Sequence, residues 1–516
     1  MNNRSKPAKS PSGQKRRKVN GRTYTPISDA LSQPNTLADN EFSDGLVRFG
    51  LAVTLARFMG RGRRSDAVPV AQILMTLLVW PVLKLSSVHC FCCELCQYLK
   101  LHGRQPARPE DIIYDFWDNE DINWRGWARN ASVRVAATMD LGKPSKKAFV
   151  ADDTVEKRRG KKVEGTSRHF DHTSGTTVAG NQVLELGMAG ENGFLPVDRQ
   201  HYMSECAPVD KPTGKGGFKD NRSAAARDMA RARDEEKPAM LARMLKDALK
   251  AGFKAAWLIA DAWFGTKANI GLALAHGLHA LFQMKRGKLQ YRVGGSLYTA
   301  TQLYVKNARK MRCANSQSRF KTVRIEAEIN LETKPKAAPI WQPVVLILSA
   351  SKDDQRDNWV IFLSTNTSAS VEELLEVYAL RWSIEVYFKE LKQSFGLLSE
   401  QSGKYQVAYA SIHLAAVRYM IIFEAMLRNG SLSFGQVRDL QTGKLQILCF
   451  ASLLWQLFRS IISGVFDQFE QIIGKSRIQE LITAIDEAVE DFLSQALQLT
   501  PSHVQSLAKA EALGAL

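Results

Sequence analysis

From Val371 to Lys392 the chain reads V-E-E-L-L-E-V-Y-A-L-R-W-S-I-E-V-Y-F-K-E-L-K, without a Gly or a Pro. Apolar residues recur at Leu374, Val377, Leu380, Ile384, Phe388 and Leu391. Steps of three and four predict one amphipathic helix. Ser370 precedes it, with Glu372 and Glu373 in the first turn, an N-terminal signal. At about 100° per residue, Tyr378, Arg381, Glu385 and Lys392 fall within a stripe about 60° wide beside the apolar seam. A tyrosine, a guanidinium, a carboxylate and an ammonium thus share a face. A surface helix laced by an Arg381–Glu385 ion pair at i,i+4 would read the same way.

Upstream, the pattern alternates between short apolar runs and helical spacing. Ala148–Ala151 predicts a strand running into Asp152-Asp153-Thr154, although Asp-rich strand ends are also common as turns. Further strands are expected at 176–181, 183–188 and 194–197, the last two joined by Gly190-Glu191-Asn192-Gly193, a hairpin signal. A mobile polar loop over 205–236 leads to a helix at 238–251. The strand 255–260 ends at Asp261, and a helix to about Gly277 follows. The strand 280–284 ends in Lys285-Arg286. Residues 287–350 hold short β-rich runs (290–293, 297–298, 322–329, 344–348) between basic loops, with no long helix pattern. A strand at 359–364 leads into the opening helix. After Gly396 the pattern is mainly helical, with a polar break near 428–433.

These patterns divide the chain into a basic arm (1–24), a helical region (25–145), a first core part (146–286), a β-rich insertion (287–357), a last core part (358–430) and a C-terminal helical region (431–516). The helical region contains patterns at 44–59, 70–98 and 109–141. Basic connections such as Gly60-Arg61-Gly62-Arg63-Arg64 make it a plausible DNA-binding module. The arm carries Arg4, Lys6, Lys9, Lys15, Arg16, Arg17, Lys18 and Arg22 and no acid, so disorder is expected there.

Composition narrows the partner. The 516 residues are 45% apolar, enough for sizeable cores, and carry a formal charge of +18. A basic excess of this size favours a polyanion, most simply nucleic acid. An early apolar run is missing, and seven cysteines are an odd number, so a reducing cytoplasm is the expected location. The apolar run 447–466 is interrupted by Gln456 and Arg459, which predicts a buried helix rather than a membrane span. His89-Cys90-Phe91-Cys92-Cys93-Glu94-Leu95-Cys96 invites a zinc reading, but structural zinc takes two separated ligand pairs and no second pair follows.

Three carboxylates remain in three settings: Asp152 or Asp153 after one strand, Asp261 after another, and Glu385 inside a helix. Chemistry at a phosphodiester needs a polarised phosphorus and an activated hydroxyl. Two divalent ions about 3.5–4 Å apart can stabilise the attacking and leaving oxygens. Mg²⁺ favours oxygen ligands, so three acids are a sufficient protein contribution. Arg381 and Lys392 beside Glu385 would grip phosphates, one bidentately and one as a point charge, and Tyr378 could add a hydrogen bond.

The helix matches the Y-x2-R-x3-E-x6-K signature of the insertion-sequence-four family of DDE transposases, through Tyr378, Arg381, Glu385 and Lys392. The D-x-T of Asp152-Asp153-Thr154 and the strand-Asp-x-x-Phe-Gly at Asp261 resemble that family's first and second acids, in the right order. The resemblance covers about 146–430. It implies an α/β RNase H-like catalytic core with a β-rich insertion, flanked by N-terminal and C-terminal α-helical regions. It implies cutting and joining of transposon ends with Mg²⁺, for which Mn²⁺ would substitute, held by Asp152, Asp261 and Glu385. The implied partner is double-stranded DNA, at transposon terminal repeats and target, bound by a homodimer. Some relatives flip a base onto a tryptophan of the insertion, about where Trp359 stands, although a core strand tryptophan is the favoured reading of that position. Lys285 and Arg286 would touch DNA or be ordinary surface charge. Asp153 is the alternative first acid, because successive strand residues face opposite sides. A DNA-binding relic without activity and an RNase H-fold nuclease without strand transfer are the other readings.

Overall fold

Among the described residues, twelve strands form one mixed sheet that runs β10-β9-β12-β13-β14-β8-β7-β3-β5-β4, with β11 beside β12 and β6 beside β5. In chain order they are β3 (Ala148–Lys157), β4 (Ser167–Asp171), β5 (Thr176–Gly190), β6 (Gly193–Tyr202), β7 (Trp257–Ala260), β8 (His279–Met284), β9 (Gln290–Val293), β10 (Ser296–Thr299), β11 (Arg312–Cys313), β12 (Phe320–Asn330), β13 (Trp341–Ser351) and β14 (Trp359–Ser364). A separate two-residue ladder pairs β1 (Lys18–Val19) with β2 (Arg22–Thr23). The computed structural model describes residues 18–19, 22–23, 41–60, 67–85, 87–94, 109–160, 163–171, 175–204, 217–314, 318–334, 337–352 and 358–496. Most of the basic arm, Arg61–Arg64 and Cys96 lie outside them.

The centre of the sheet fixes the geometry that matters. β3 runs parallel to β7, and β7 parallel to β8, while β5 is antiparallel to β3. Ala148–Ala151, Trp257–Ala260 and most of β8 are fully buried, as continuous apolar strands covered on both faces should be. The β5–β6 hairpin turns at Glu191-Asn192, where the G-E-N-G signal lies. Gly190 is required there: a Cβ would stand 1.9 Å from the Leu141 carbonyl oxygen. The strands of 287–357 do not form a sheet of their own. β12 and β13 extend the central sheet through β14, which is antiparallel to β8. An eight-residue helix, Ala300–Asn307, interrupts this region, where the pattern predicted only strands.

Helical patterns proved shorter than expected. The 44–59 pattern breaks at Gly50, whose left-handed φ of 54° ends one helix and opens Leu51–Ala56. The 70–98 pattern breaks after Val70–Val79, where Pro81 follows, and the 109–141 pattern breaks between Pro109–Trp117 and Trp124–Ala136. Asn123 caps the latter, accepting from the Gly126 N–H at 2.9 Å. These N-terminal helices share one core with the sheet, through the Tyr405–Asn429 helix. Arg48 donates to Glu424 at 2.7 Å. Buried Arg418 donates to the Leu78, Leu77 and Phe395 carbonyls at 3.0, 2.5 and 2.7 Å. Tyr405–Asn429 is the helix among the described residues long and apolar enough to cross a membrane, and it is buried inside the protein.

Two expectations need correction. The helix predicted over 371–392 is two helices, Val371–Ala379 and Trp382–Gln393. Ser370 and Glu373 form the capping box of the first. At the junction the N–H groups of Leu380, Arg381, Ser383 and Ile384 bond three residues back instead of four, a 3₁₀-like tightening. The apolar run 447–466 belongs to the Phe434–Gln468 helix, and its described side chains are exposed or half-buried. Phe450, Leu457 and Ile461 are 65%, 58% and 53% exposed.

Candidate active site

Strand pairing brings two of the predicted acids together. Ala151 of β3 stands opposite Ala260 of β7 in the parallel register, and pairing stops there. Asp152 and Asp261 are therefore the next residues on two adjacent strands that begin to part. β3 itself continues to Lys157, still paired with β5, so Asp152 sits within a strand and not in a turn. Asp261 begins a turn, with its Oδ1 accepting from the N–H groups of Trp263 at 2.9 Å and Phe264 at 3.3 Å.

Strand alternation separates Asp153 from Asp152. Asp153 accepts from Gln182 Nε2 at 2.6 Å and from Lys237 Nζ at 2.7 Å. Asp152 faces the helix junction instead. Arg381 Nη1 donates to Asp152 Oδ2 at 3.3 Å, and Arg381 Nη2 donates to Glu385 Oε1 at 2.5 Å. One guanidinium thus links the first strand to the third acid. Its Nε is buried without a partner.

Burial pushes the Asp152 carboxyl up to about 7, and the charges of Asp261 and Asp153 add to the shift, against the pull of Arg381. Burial likewise pushes the Tyr378 phenol up to about 12. Its hydroxyl donates to Gln283 Oε1 at 3.3 Å, and its ring packs 4.5 Å from Phe362. Lys392 Nζ donates to the Val155 carbonyl at 2.7 Å and lies 3.9 Å from Glu156. Arg381 also lies 5.8 Å from the Tyr378 ring, so Tyr378, Arg381 and Glu385 gather at Asp152, while Lys392 stands apart along β3.

The remaining candidates lie apart. Lys285 is exposed at the end of β8. Arg286 places its guanidinium 4.5 Å from the Trp359 ring and donates to the Trp359 carbonyl. Trp359 is 4% exposed and stacks on Tyr304 at 4.4 Å. Buried in this way, it offers no face to a base, and the core reading of this residue describes it. Cys90 and Cys92 are not joined in a disulfide, and the Ser87 hydroxyl donates to Cys90 Sγ at 3.4 Å.

A cleft of about 770 Å³ opens beside the acids, lined by Asp152, Asp153, Asp261, Lys237, Lys392 and Trp263, among others. Lys237 and Trp263 escaped the sequence reading. The Lys237 ammonium lies 4.5 Å from the Trp263 ring and 4.8 Å from Tyr202. The trace of it in the sequence was Lys237-Pro238, the proline-marked start of a helix, which carries no hint of a carboxylate 84 residues earlier.

The donor chemistry here suits a hard divalent cation: oxygen ligands, one of them a carboxyl raised by burial and, after that, by the charge of Asp261 beside it. Asp152 and Asp261 fit as a pair. Glu385 is engaged by Arg381, and among the described residues no three acid, His or Cys groups stand ready as a ligand set.

No curated protein matches the chain. Seven chains of solved structures match. One is titled Drosophila P element transposase strand transfer complex, at 9% identity over 89% of this chain and 95% of that one, with a TM-score of 0.20, too loose a likeness to carry an argument. Residues 99–334, which include Asp152 and Asp261 and end before Glu385, match the family described as DDE superfamily endonuclease. Over that segment, just under half of the chain, the protein is similar to the DDE superfamily endonucleases.

Proposed function

We propose that the protein is a DDE transposase of the insertion-sequence-four type that cuts DNA at transposon ends and joins the freed ends to a target. The observation that carries the reading is the in-phase end of β3 and β7, which sets Asp152 beside Asp261, with Arg381 tying Asp152 to Glu385. Simple DNA binding has no use for acids gathered beside phosphate.

Asp152, Asp261 and Glu385 would hold divalent metal, Mg²⁺ with Mn²⁺ as a substitute. When bound, such a metal polarises the phosphodiester and activates the attacking oxygen. On DNA binding Arg381 would let go of Glu385, freeing it as a ligand, and would turn its donors toward a non-bridging phosphate oxygen. A planar guanidinium suits that exchange of one carboxylate for one phosphate. Lys392 anchors a neighbouring phosphate as a point charge. Lys237 keeps Asp153 neutralised, so that Asp153 does not compete for the metal. Water is the first nucleophile and the freed 3′-hydroxyl the second; each forms a P–O bond as the P–O bond to the leaving 3′-oxygen breaks, and that oxygen takes up the proton the nucleophile gives up. Lys285 adds a backbone contact. Two copies hold the two transposon ends, and the work is done at the bacterial nucleoid.

The test is Mg²⁺-dependent cleavage of the element's own terminal repeats by wild type and Glu385→Gln, with binding measured in parallel. Cleavage lost in the variant while binding is kept supports the proposal. Binding without cleavage by either protein identifies a DNA-binding relic. Cleavage with no joined product from a 3′-hydroxyl donor identifies a nuclease.

A further inference from the structure

The β3–β7 ladder stops at Ala151 and Ala260, one residue short of the two acids, so ladder bonds do not set the separation of Asp152 and Asp261. Each acid is aimed instead by the backbone of a residue that follows it. Asp152 Oδ1 accepts from the Asp153 N–H at 2.8 Å, and Asp261 Oδ1 accepts from the Trp263 N–H at 2.9 Å. One ammonium grips the side chains of both followers. Lys237 Nζ donates to Asp153 Oδ2 at 2.7 Å and lies 4.5 Å from the Trp263 ring. Tyr202, at 4.8 Å, gives it a second aromatic ring. Gln182 Nε2 holds the other oxygen of Asp153 at 2.6 Å. The Lys237 side chain is 8% exposed, so it has little room to move. It stands at the first position of the Lys237–Lys250 helix, an element separate from both strands. The link between the two acids is thus braced from outside the sheet.

We propose that Lys237 is a positioning residue: a strut from Asp153 to Trp263 that fixes the separation of Asp152 and Asp261 and so sets how tightly the pair holds a divalent cation. The inference rests on the reading of those two acids as the metal pair. It gives the effect of Lys237 a sign opposite to that of its charge. An ammonium near a cation site repels the incoming ion, and its removal leaves Asp153 as a further negative charge. By charge alone, Lys237→Met should bind divalent metal more tightly than wild type. As a strut, its loss lets the two carboxylates drift apart. Removing the outer supports of metal ligands typically costs about 10- to 100-fold in affinity.

Mn²⁺ binding to the full-length protein without DNA, read from the electron paramagnetic resonance signal of the free ion, separates the two. Lys237→Met should bind Mn²⁺ about 10-fold or more weakly than wild type. Trp263→Leu keeps the Asp153–Lys237 ion pair and replaces a residue that is 39% exposed, and it should weaken binding in the same direction. Lys237→Arg should recover most of the affinity, since a guanidinium can bond a carboxylate and stack on a ring at once. Circular dichroism checks the fold of each variant, and if Lys237→Met does not fold, Trp263→Leu decides. Affinity equal to or above that of wild type, in folded Lys237→Met or in Trp263→Leu, overturns the strut and leaves the metal pair standing. A wild type that holds Mn²⁺ no better than an Asp152→Asn, Asp261→Asn double variant overturns the metal pair, and the strut with it.

Discussion

Arg381 donates to Asp152 at 3.3 Å and to Glu385 at 2.5 Å, from a residue that lies between two helices instead of inside one. The 3₁₀-like step at 380–384 aims the guanidinium at β3. Replacing Arg381 with Ala removes the counter-charge from Asp152 and frees Glu385. Cleavage should fall about 100-fold or more, the scale for losing one aimed donor. Arg381→Lys should recover only part of it, since an ammonium lacks the planar fork that reaches both carboxylates at once. Single-turnover cleavage of a terminal-repeat duplex measures both. A lysine variant as fast as wild type would remove Arg381 from the mechanism.

Asp152 also links pH to stability. Its carboxyl is held at about 7 in the folded chain, above the ordinary value of 3.8. Its neutral form therefore stabilises the fold at acid pH, and that contribution is lost as pH rises from about 4 through about 7. Asp152→Asn should raise the melting temperature of metal-free protein at pH 8 and leave it near wild type at pH 4.5, as read by differential scanning calorimetry. A variant less stable than wild type at pH 8 would contradict the burial argument.

Metal should reverse that order. Mg²⁺ added at pH 8 should raise the melting temperature of wild type, by the linkage that stabilises any ligand-binding state. The rise should vanish in Asp152→Asn and in Asp261→Asn and survive in Asp153→Asn. A Mg²⁺ response that depended on Asp153 instead would move the first acid by one residue.

Asp153 should prove structural. It is ion-paired with Lys237, whose side chain is 8% exposed. Asp153→Asn leaves that ammonium buried without its charge partner. Urea unfolding should show a loss of about 3 kcal/mol, the lower end for breaking a buried pair. A loss below about 0.5 kcal/mol would mean that Lys237 finds other solvation.

The formal charge of +18 predicts salt-dependent DNA binding. Log affinity should fall linearly with log salt, with a slope set by the phosphates neutralised. Fluorescence anisotropy on a labelled duplex measures it, and a flat response would exclude a phosphate-driven interface.

The sequence made the acids legible because an apolar strand that stops at a carboxylate is a local pattern. Ala148–Ala151 before Asp152 and Trp257–Ala260 before Asp261 needed no tertiary information. The break at Leu380-Arg381 was invisible because neither Gly nor Pro marks it; the tightening lies in backbone bonds, not in residue types. The exposure of Phe450 was hidden for a related reason. An apolar stripe reads the same whether its own core or another surface covers it. Lys237 was missed because its partner, Asp153, lies on a strand far off in sequence. The strands of 287–357 looked like a separate unit because pairing across β14 and β8 is a long-range relation.

The shared end of β3 and β7 has a consequence for how such a site can vary. Side chains alternate with a period of two, so one residue inserted into Ala148–Ala151 would turn Asp152 away from Asp261 and bring another side chain to its place. The same holds for Trp257–Ala260. The helices between the two strands, Ala224–Asp234 and Lys237–Lys250, carry no such phase relation to the acid pair. Length changes should therefore accumulate between the strands and be purged within them, so that the two four-residue runs act as one unit of inheritance.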